Sequence, residues 1–172
     1  MDQYALLFAS MLNAGTVLAI AALGLLINEK SGIVNLGAEG MMLCAAIAGF
    51  ATVVHTGSDW LGFGAGALAG AALAAAFGLL VIWMNTNQYA TGLALSLFGA
   101  GFSAFAGIQY VQEKLPERPH FSVPLLGDIP VLGPALFRQH PMVYLAIALV
   151  AWLVWFLYKL SLIHISEPTR RS

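Results

Sequence analysis

Charged residues are scarce in this 172-residue chain: only 9% of its residues are charged, while 60% are hydrophobic. Soluble domains carry roughly a quarter charged residues, and a chain without them cannot cover its own surface with polar groups. The composition therefore excludes a water-soluble globule and predicts an integral membrane protein. The formal net charge of -1, with no basic run and no acidic tail, gives no indication of nucleic-acid binding.

Cysteine and the usual catalytic patterns are also scarce. The single cysteine, Cys44, excludes an internal disulfide framework and a cysteine-based metal cluster. The loop histidines His55, His120 and His140 have no metal-ligand spacing. The chain has no GxSxG elbow and no phosphate-binding loop, so no nucleophile is paired with an activating base. We therefore expect no enzyme, no bound metal and no cofactor held by this chain.

Long apolar runs dominate what is present. Five of them are long enough to cross a bilayer as helices, because a span needs about 20 residues at 1.5 Å per residue. They cover residues 4–27, 36–54, 60–84, 91–108 and 142–158. The first residues carry no basic region typical of a cleavable signal peptide, so we expect the first run to be a permanent span. The sequence predicts an all-α, polytopic transmembrane helix bundle of about five spans.

Small residues recur at helical spacing in the third and fourth runs. Such a stripe lets a neighbouring backbone approach closely, as membrane helices commonly require. We interpret it as helix packing and not as a substrate path. Its members are Gly62, Gly66, Gly70, Ala74 and Gly78 in the third run, and Gly99, Ser103 and Gly107 in the fourth.

The longest connection, residues 109–141, contains six prolines and six of the chain's 15 charged residues. Proline at this density forbids a long helix. We therefore expect an extramembrane loop with short interfacial pieces.

A charged, glycine-rich run, NEKSGIVNLGAEGMM, interrupts the apolar pattern at residues 28–42. Asn35 is suited to cap a helix that begins near Leu36, and Glu39 would lie about one turn into that helix. A charged glutamate at the bilayer centre costs about 2.5–3.5 kcal/mol, so Glu39 must face a partner or a watery path, or be protonated. Alternatively, Glu39 lies near the interface and stabilises the helix start through the helix dipole.

A second polar break, NTNQ, occupies residues 85–88 before the fourth span. An ordinary solvated turn is the simpler interpretation, and ligand contact is the other. Breaks before both the second and the fourth span are typical of transporters with discontinuous helices. We therefore expect Asn35, Glu39, Asn87 and Gln88 to lie near a solute pathway.

The run GLLINEKSGIVNLGAEGMML, with NQYATGLALSLFG after it, resembles permease subunits of bacterial ATP-binding-cassette importers. The branch is that of nucleoside and simple-sugar permeases, within the superfamily of branched-chain amino acid and ribose permeases. The resemblance extends from about Leu6 to Lys159 and is most specific at NLGAEGMM. It implies that residues 1–159 are the N-terminal part of a transmembrane permease domain, an incomplete half of a larger fold. The matching positions are Glu29, Lys30, Gly32, Asn35, Gly37, Glu39, Gly40, Asn87, Gln88 and Gly92.

The resemblance also implies partners and a mechanism. In that family a permease pairs with a second permease and with cytoplasmic ATPase subunits, which bind the ATP. An extracytoplasmic substrate-binding protein delivers a nucleoside or related small polar solute, which is imported by alternating access. The implied location is the bacterial inner membrane with an external N-terminus, so that Lys30 and Lys159 are cytoplasmic. The lysines and arginines are too evenly distributed to settle orientation by themselves.

Residues 160–172, LSLIHISEPTRRS, end the apolar pattern abruptly. This segment resembles a reading-frame translation of the transposase adapter used in sequencing libraries. We therefore expect a non-native tail. The alternative is a genuine short cytoplasmic tail, since chain termini tolerate many sequences.

Two other functions compete with import. A secondary transporter or channel with discontinuous helices would carry the same polar breaks. The complete gene would discriminate, since an ATPase-coupled permease should continue with a glycine- and alanine-rich cytoplasmic helix, and an adjacent ATPase gene would also favour the permease. A membrane scaffold that transports nothing would tolerate alanine at Glu39 and in both breaks. The sequence does not specify the solute.

Overall fold

A computed structural model of the chain describes residues 2–115 and 141–159, and all regular structure in those two ranges is helical. The predicted all-α class is confirmed. Two predicted segments lie largely outside the described residues. They are the tail, residues 160–172, and the 109–141 loop, of which only residues 109–115 and 141 are described. The helices are α1 (Asp2–Lys30), α2 (Ala38–Thr56), α3 (Asp59–Gly78), α4 (Gln88–Gly107) and α5 (Pro141–Lys159), with a π-helical turn at Leu79–Trp83 and a 3-10 turn at Ile108–Tyr110.

Within residues 2–115 and 141–159, four helical segments are long and apolar enough to cross a membrane by length and composition. They are Ser10–Lys30, Ala38–Thr56, Asp59–Trp83 and Gln88–Tyr110, and they correspond to the first four predicted spans. Within α5 the apolar stretch Val143–Phe156 is shorter, so the fifth span stays a prediction.

Large apolar side chains of these helices are widely exposed. Among the described residues, the buried hydrophobic ones are only Met41, Cys44 and Phe77, whereas Leu68 and Leu97 are 74% and 75% exposed. In water such a surface would be one large apolar patch, which monomeric soluble proteins rarely carry. Lipid tails are as apolar as leucine, so a bilayer accommodates it. The distribution of apolar surface is that of an integral membrane protein.

The chain divides into two compact units, and α1 and α5 belong to the first. Between them lies an open apolar cavity of about 350 Å³. The Thr16 hydroxyl donates to the Leu12 carbonyl at 2.6 Å, so this buried polar group is satisfied within its own helix. The cavity is lined by Phe8, Met11, Leu12, Gly15, Thr16, Ala19, Ile147 and Val150.

The second unit contains α2, α3 and α4, and α3 runs antiparallel to α2. A Cβ atom placed on Gly66 would lie 2.9 Å from the Ala45 carbonyl oxygen, and one on Gly62 would lie 2.9 Å from that of Gly49. Gly70 faces the same helix, 3.7 Å from the Ala45 Cβ. Helix α3 therefore packs on α2 through its glycine stripe, which lets the two backbones approach closely.

Gly78, at the end of the predicted stripe, does not share this packing. Among the described residues its Cβ position approaches only Ile82, at 4.0 Å, one turn along the same chain segment. The α3–α2 contact lies nearer the start of α3, so the last glycine of the stripe is beyond it.

Helix α4 packs on a different face of α2 and runs parallel to it. Gly40 and Gly99 place their backbones in direct contact, and a Cβ on Gly40 would lie 2.6 Å from the Ser96 Cα. Further along, the Cβ position of Gly107 is 3.7 Å from Ile47 Cδ1, and Ser103 is part-buried. Glycine is required at the Gly40–Gly99 contact because any side chain there would overlap backbone.

Replacing Gly99 with alanine tests this contact. We expect a loss of about 1–3 kcal/mol in stability, because the added methyl group forces the α2 and α4 backbones apart. Thermal unfolding of the detergent-solubilised protein measures it. The matched control is Gly101→Ala in the same helix, where a Cβ meets nothing within 4 Å. Equal unfolding temperatures for the two variants would contradict the close contact.

Candidate functional site

The first polar break begins where α1 ends. Glu29 and Lys30 lie in the last turn of α1, so the helix continues three residues beyond the predicted apolar span 4–27 and includes the first charges of the polar run. Glutamate and lysine are good helix formers, and a terminal lysine suits the helix dipole. The Ser31 hydroxyl then donates to the Ile27 carbonyl at 2.7 Å, and Gly32 adopts a left-handed φ of 82°. Residues 31–37 are not helical.

The buried side chain of Asn35 fixes the conformation of the non-helical residues 31–37. The prediction that it caps a helix beginning at Leu36 is wrong, because α2 begins at Ala38 and its N-cap residue is Gly37. Asn35 Oδ1 instead accepts a hydrogen bond from the Gly37 amide at 2.9 Å, the geometry of an Asx turn. Its Nδ2 lies 3.7 Å from Met41 Sδ, and the residue is 8% exposed. The Asn35 amide therefore satisfies and orients the backbone that leads into α2.

The second break follows a distorted helix end. After α3, a π-helical turn closes with the Met84 amide bonded to the Leu79 carbonyl at 3.1 Å. Asn85 then adopts a left-handed φ of 50°, which asparagine tolerates better than most residues. The Thr86 hydroxyl donates to the Leu80 carbonyl at 2.8 Å and lies 2.9 Å from Thr91 Oγ1. The Thr86 side chain thus joins the π-helical turn that follows α3 to the first turn of α4.

Asn87 is the N-cap residue of α4. Its Oδ1 accepts from the amides of Tyr89 at 2.9 Å and Ala90 at 3.2 Å, and the residue is exposed. This arrangement is a standard helix cap. The amide oxygen of Asn87 is therefore engaged in α4 itself, while its exposed position leaves the amide nitrogen accessible.

The two breaks meet at one end of this unit. The Val34 amide donates to Gln88 Oε1 at 3.1 Å, across 54 positions of sequence. A Cβ on Gly92 would lie 2.9 Å from the Leu36 nitrogen, so residues 34–37 lie directly on the first turns of α4. We call this group the break site. It consists of Val34, Asn35, Gly37, Gln88 and Gly92.

Glu39 stands beside the break site with its side chain exposed, in the first turn of α2. A carboxylate at a helix start is favoured by the dipole, and within the described residues it has no hydrogen bond or ion pair. Glu39, Met42, Leu43 and Ala46 are all exposed and lie on one side of the helix at helical spacing. We call these four residues the open face of α2.

A polar contact at the opposite end of the unit was not anticipated from sequence. His55 Nε2 lies 3.0 Å from Tyr110 Oη, and the Tyr110 ring makes edge contacts with both His55 and Phe50. The contact joins residues 55 positions apart, and neither residue belongs to a recognisable motif. The part of the chain that the structure describes contains no group of three or more histidine, cysteine, aspartate or glutamate residues placed to hold a metal.

Comparison with known proteins complements this geometry. A family model described as "Branched-chain amino acid transport system / permease component" matches residues 7–162. The chain is 41% identical over 160 residues to a protein named as a glucose ABC transporter permease of Haloferax volcanii, covering 91% of this chain and 49% of that protein. It is 30% identical over 154 residues to a guanosine ABC transporter permease of Bacillus subtilis, covering 81% and 48% respectively.

A third relative, a nucleoside ABC transporter permease of Lactococcus lactis subsp. cremoris, is 27% identical over 170 residues, which cover 91% of this chain and 54% of the relative. The chain therefore spans about half the length of the curated relatives it matches. No solved structure matches it.

Replacing Gln88 with leucine tests the hydrogen bond that joins the two breaks. The part-buried Val34 amide then loses its acceptor, at a cost of about 1–3 kcal/mol, and we expect its local opening to become about tenfold more frequent. Hydrogen exchange of the peptide covering residues 31–37 measures the change. Gln88→Glu, which keeps an oxygen acceptor, should exchange like the parent protein. Unchanged hydrogen exchange in Gln88→Leu would contradict the hydrogen bond between Gln88 and the Val34 amide.

Proposed function

Because the chain belongs to the family of branched-chain amino acid transport system permease components, we propose that it forms part of the membrane pathway of an ATP-driven importer. The proposed solute is a nucleoside or a related small polar molecule with a sugar ring. Relatives named for glucose, guanosine and nucleosides support this class and favour no single member of it.

The observation that carries the proposal is the pairing of the two polar breaks beside an exposed carboxylate. Irregular backbone at membrane depth is tolerated where it is buried in protein or lines a watery cavity. Here the break site is held by specific bonds, and Glu39 on the open face of α2 remains exposed next to it. We infer that the open face of α2 borders the solute pathway, with Glu39 as its polar contact.

The proposed partners are cytoplasmic ATPase subunits, a second permease subunit and an extracytoplasmic substrate-binding protein. ATP is bound by the ATPase partners and not by this chain. ATP binding can drive transport only if the ATPases have different affinities for two packings of the permease. No residue of this chain is assigned a catalytic role, and its contribution is to shape a path that opens to alternate sides.

We propose an external N-terminus in the inner membrane. In this orientation, which the family membership supports, Lys30 at the end of α1 and Lys159 at the end of α5 are cytoplasmic. Residues 31–37 then follow directly on the cytoplasmic side, and the break site lies toward the ATPase partners. The His55–Tyr110 contact is at the opposite, external end of its unit.

Replacing Glu39 with alanine tests the pathway directly. We expect solute uptake by the complete transporter to fall by about tenfold, equivalent to about 1.4 kcal/mol, while the amount of protein in the membrane is unchanged. We expect the amount of protein to stay unchanged because the exposed Glu39 side chain has no hydrogen bond or ion pair within the described residues that its removal would break. Radiolabelled uptake, normalised to membrane protein, measures the effect.

The matched control is Glu113→Ala, which removes an exposed acidic group just beyond the 3-10 turn at the other end of the unit. Asn35, Asn87 and Gln88 also belong to the proposed pathway, but their alanine variants remove backbone hydrogen bonds and need the same normalisation. Wild-type uptake after substitution of all four residues would refute the proposed pathway.

A further inference from the structure

At Gly40 and Gly99, helices α2 and α4 touch with no side chain between them. Gly40 and Gly99 place backbone on backbone, and the Cβ position of Gly92 is 3.1 Å from the Gly37 nitrogen. Cys44 follows on the same side of α2, with its Sγ 3.9 Å from the Gly99 carbonyl oxygen. A packed contact of this kind cannot deform continuously, because any sliding drives a side chain into the opposing backbone.

Each end of this helix pair is also tied by a hydrogen bond between one helix and the segment that flanks the other: Val34 precedes α2, and Tyr110 lies in the 3-10 turn that follows α4. At one end the Val34 amide donates to Gln88 Oε1, and at the other His55 Nε2 contacts Tyr110 Oη at 3.0 Å. Helix α2, between these ties, is 19 residues or about 28 Å long. Depending on the tautomer, His55 Nε2 accepts from the phenol hydroxyl or donates to its oxygen.

We propose that α2 and α4 form a single rigid body that does not rearrange internally during the transport cycle. The inference rests on the proposed function, since it concerns the two packings between which an importer alternates. Two separated ties prevent the helices from pivoting about the Gly40–Gly99 contact, and the glycine contact prevents sliding. The open face of α2 and the break site therefore move together. The change between the two packings of the importer takes place at other surfaces of the permease.

Cysteine cross-linking between the two helices tests the inference. Ile47 and Gly107 are replaced by cysteine in a Cys44→Ala background, since the Cβ position of Gly107 lies at an ordinary contact distance of 3.7 Å from Ile47 Cδ1. A second pair, His55→Cys with Tyr110→Cys, probes the far tie and remains available if the first pair fails to fold. A short bifunctional thiol reagent, cleavable by reductant, joins each pair in the complete transporter reconstituted in vesicles.

We expect uptake by the cross-linked transporter to stay within about twofold of uptake after reductant is added, because a rigid pair loses no motion when it is joined. A larger loss that reductant reverses would show that α2 and α4 must move against each other, and would overturn the inference. Each single-cysteine variant, treated identically, controls for labelling alone.

A second measurement separates the rigid pair from the proposed function. The rate of cross-linking is measured with and without ATP. This measurement does not depend on whether the complex transports a solute. Equal rates, within about twofold, support the rigid pair, and a larger change overturns it. Absence of ATP-dependent uptake in the parent complex would instead count against the importer, while the cross-linking rates still decide the question of rigidity.

Discussion

Hydrocarbon offers no hydrogen-bond partners, so a chain that leaves the helical conformation at membrane depth must find them within the protein. The two polar breaks of this chain supply such partners with their own side chains, both within a break and from one break to the other. Asn35 accepts from Gly37, Gln88 accepts from Val34, and Thr86 donates to the Leu80 carbonyl. The polar residues of the breaks are therefore the means by which irregular backbone is tolerated there.

Glycine makes these bonds possible over long sequence separations. Gly40, Gly92 and Gly99 let α2 and α4 approach until backbone meets backbone, and this brings the start of α4 beneath residues 34–37. Close packing of this kind replaces the hydrophobic driving force that a bilayer does not supply between helices. The outcome is a unit with few buried large side chains and a well-defined polar end. Glu39 remains exposed beside that end, as a solute pathway would require.

Much of the architecture could be predicted from local pattern. The helical class, four spans and the permease family resemblance carried by NLGAEGMM are confirmed. The prediction that Asn35 caps α2 was wrong by two residues, because an Asx turn and an N-cap use the same side chain and the same chemistry. Helix α1 continues three residues beyond the predicted apolar span 4–27, because Glu29 and Lys30 are good helix formers although they are charged.

By itself, the sequence determined that this protein belongs in a membrane, that its spans are helices, and that polar breaks precede the second and fourth spans. These properties depend on composition and on the spacing of apolar and polar residues over a few positions, and such local patterns can be recognised without knowing the tertiary structure. Only the tertiary structure decided that Val34 meets Gln88, that Gly40 meets Gly99 and that His55 meets Tyr110. Each of these contacts joins residues more than 50 positions apart, and such pairs are selected by how whole helices pack and not by any local preference.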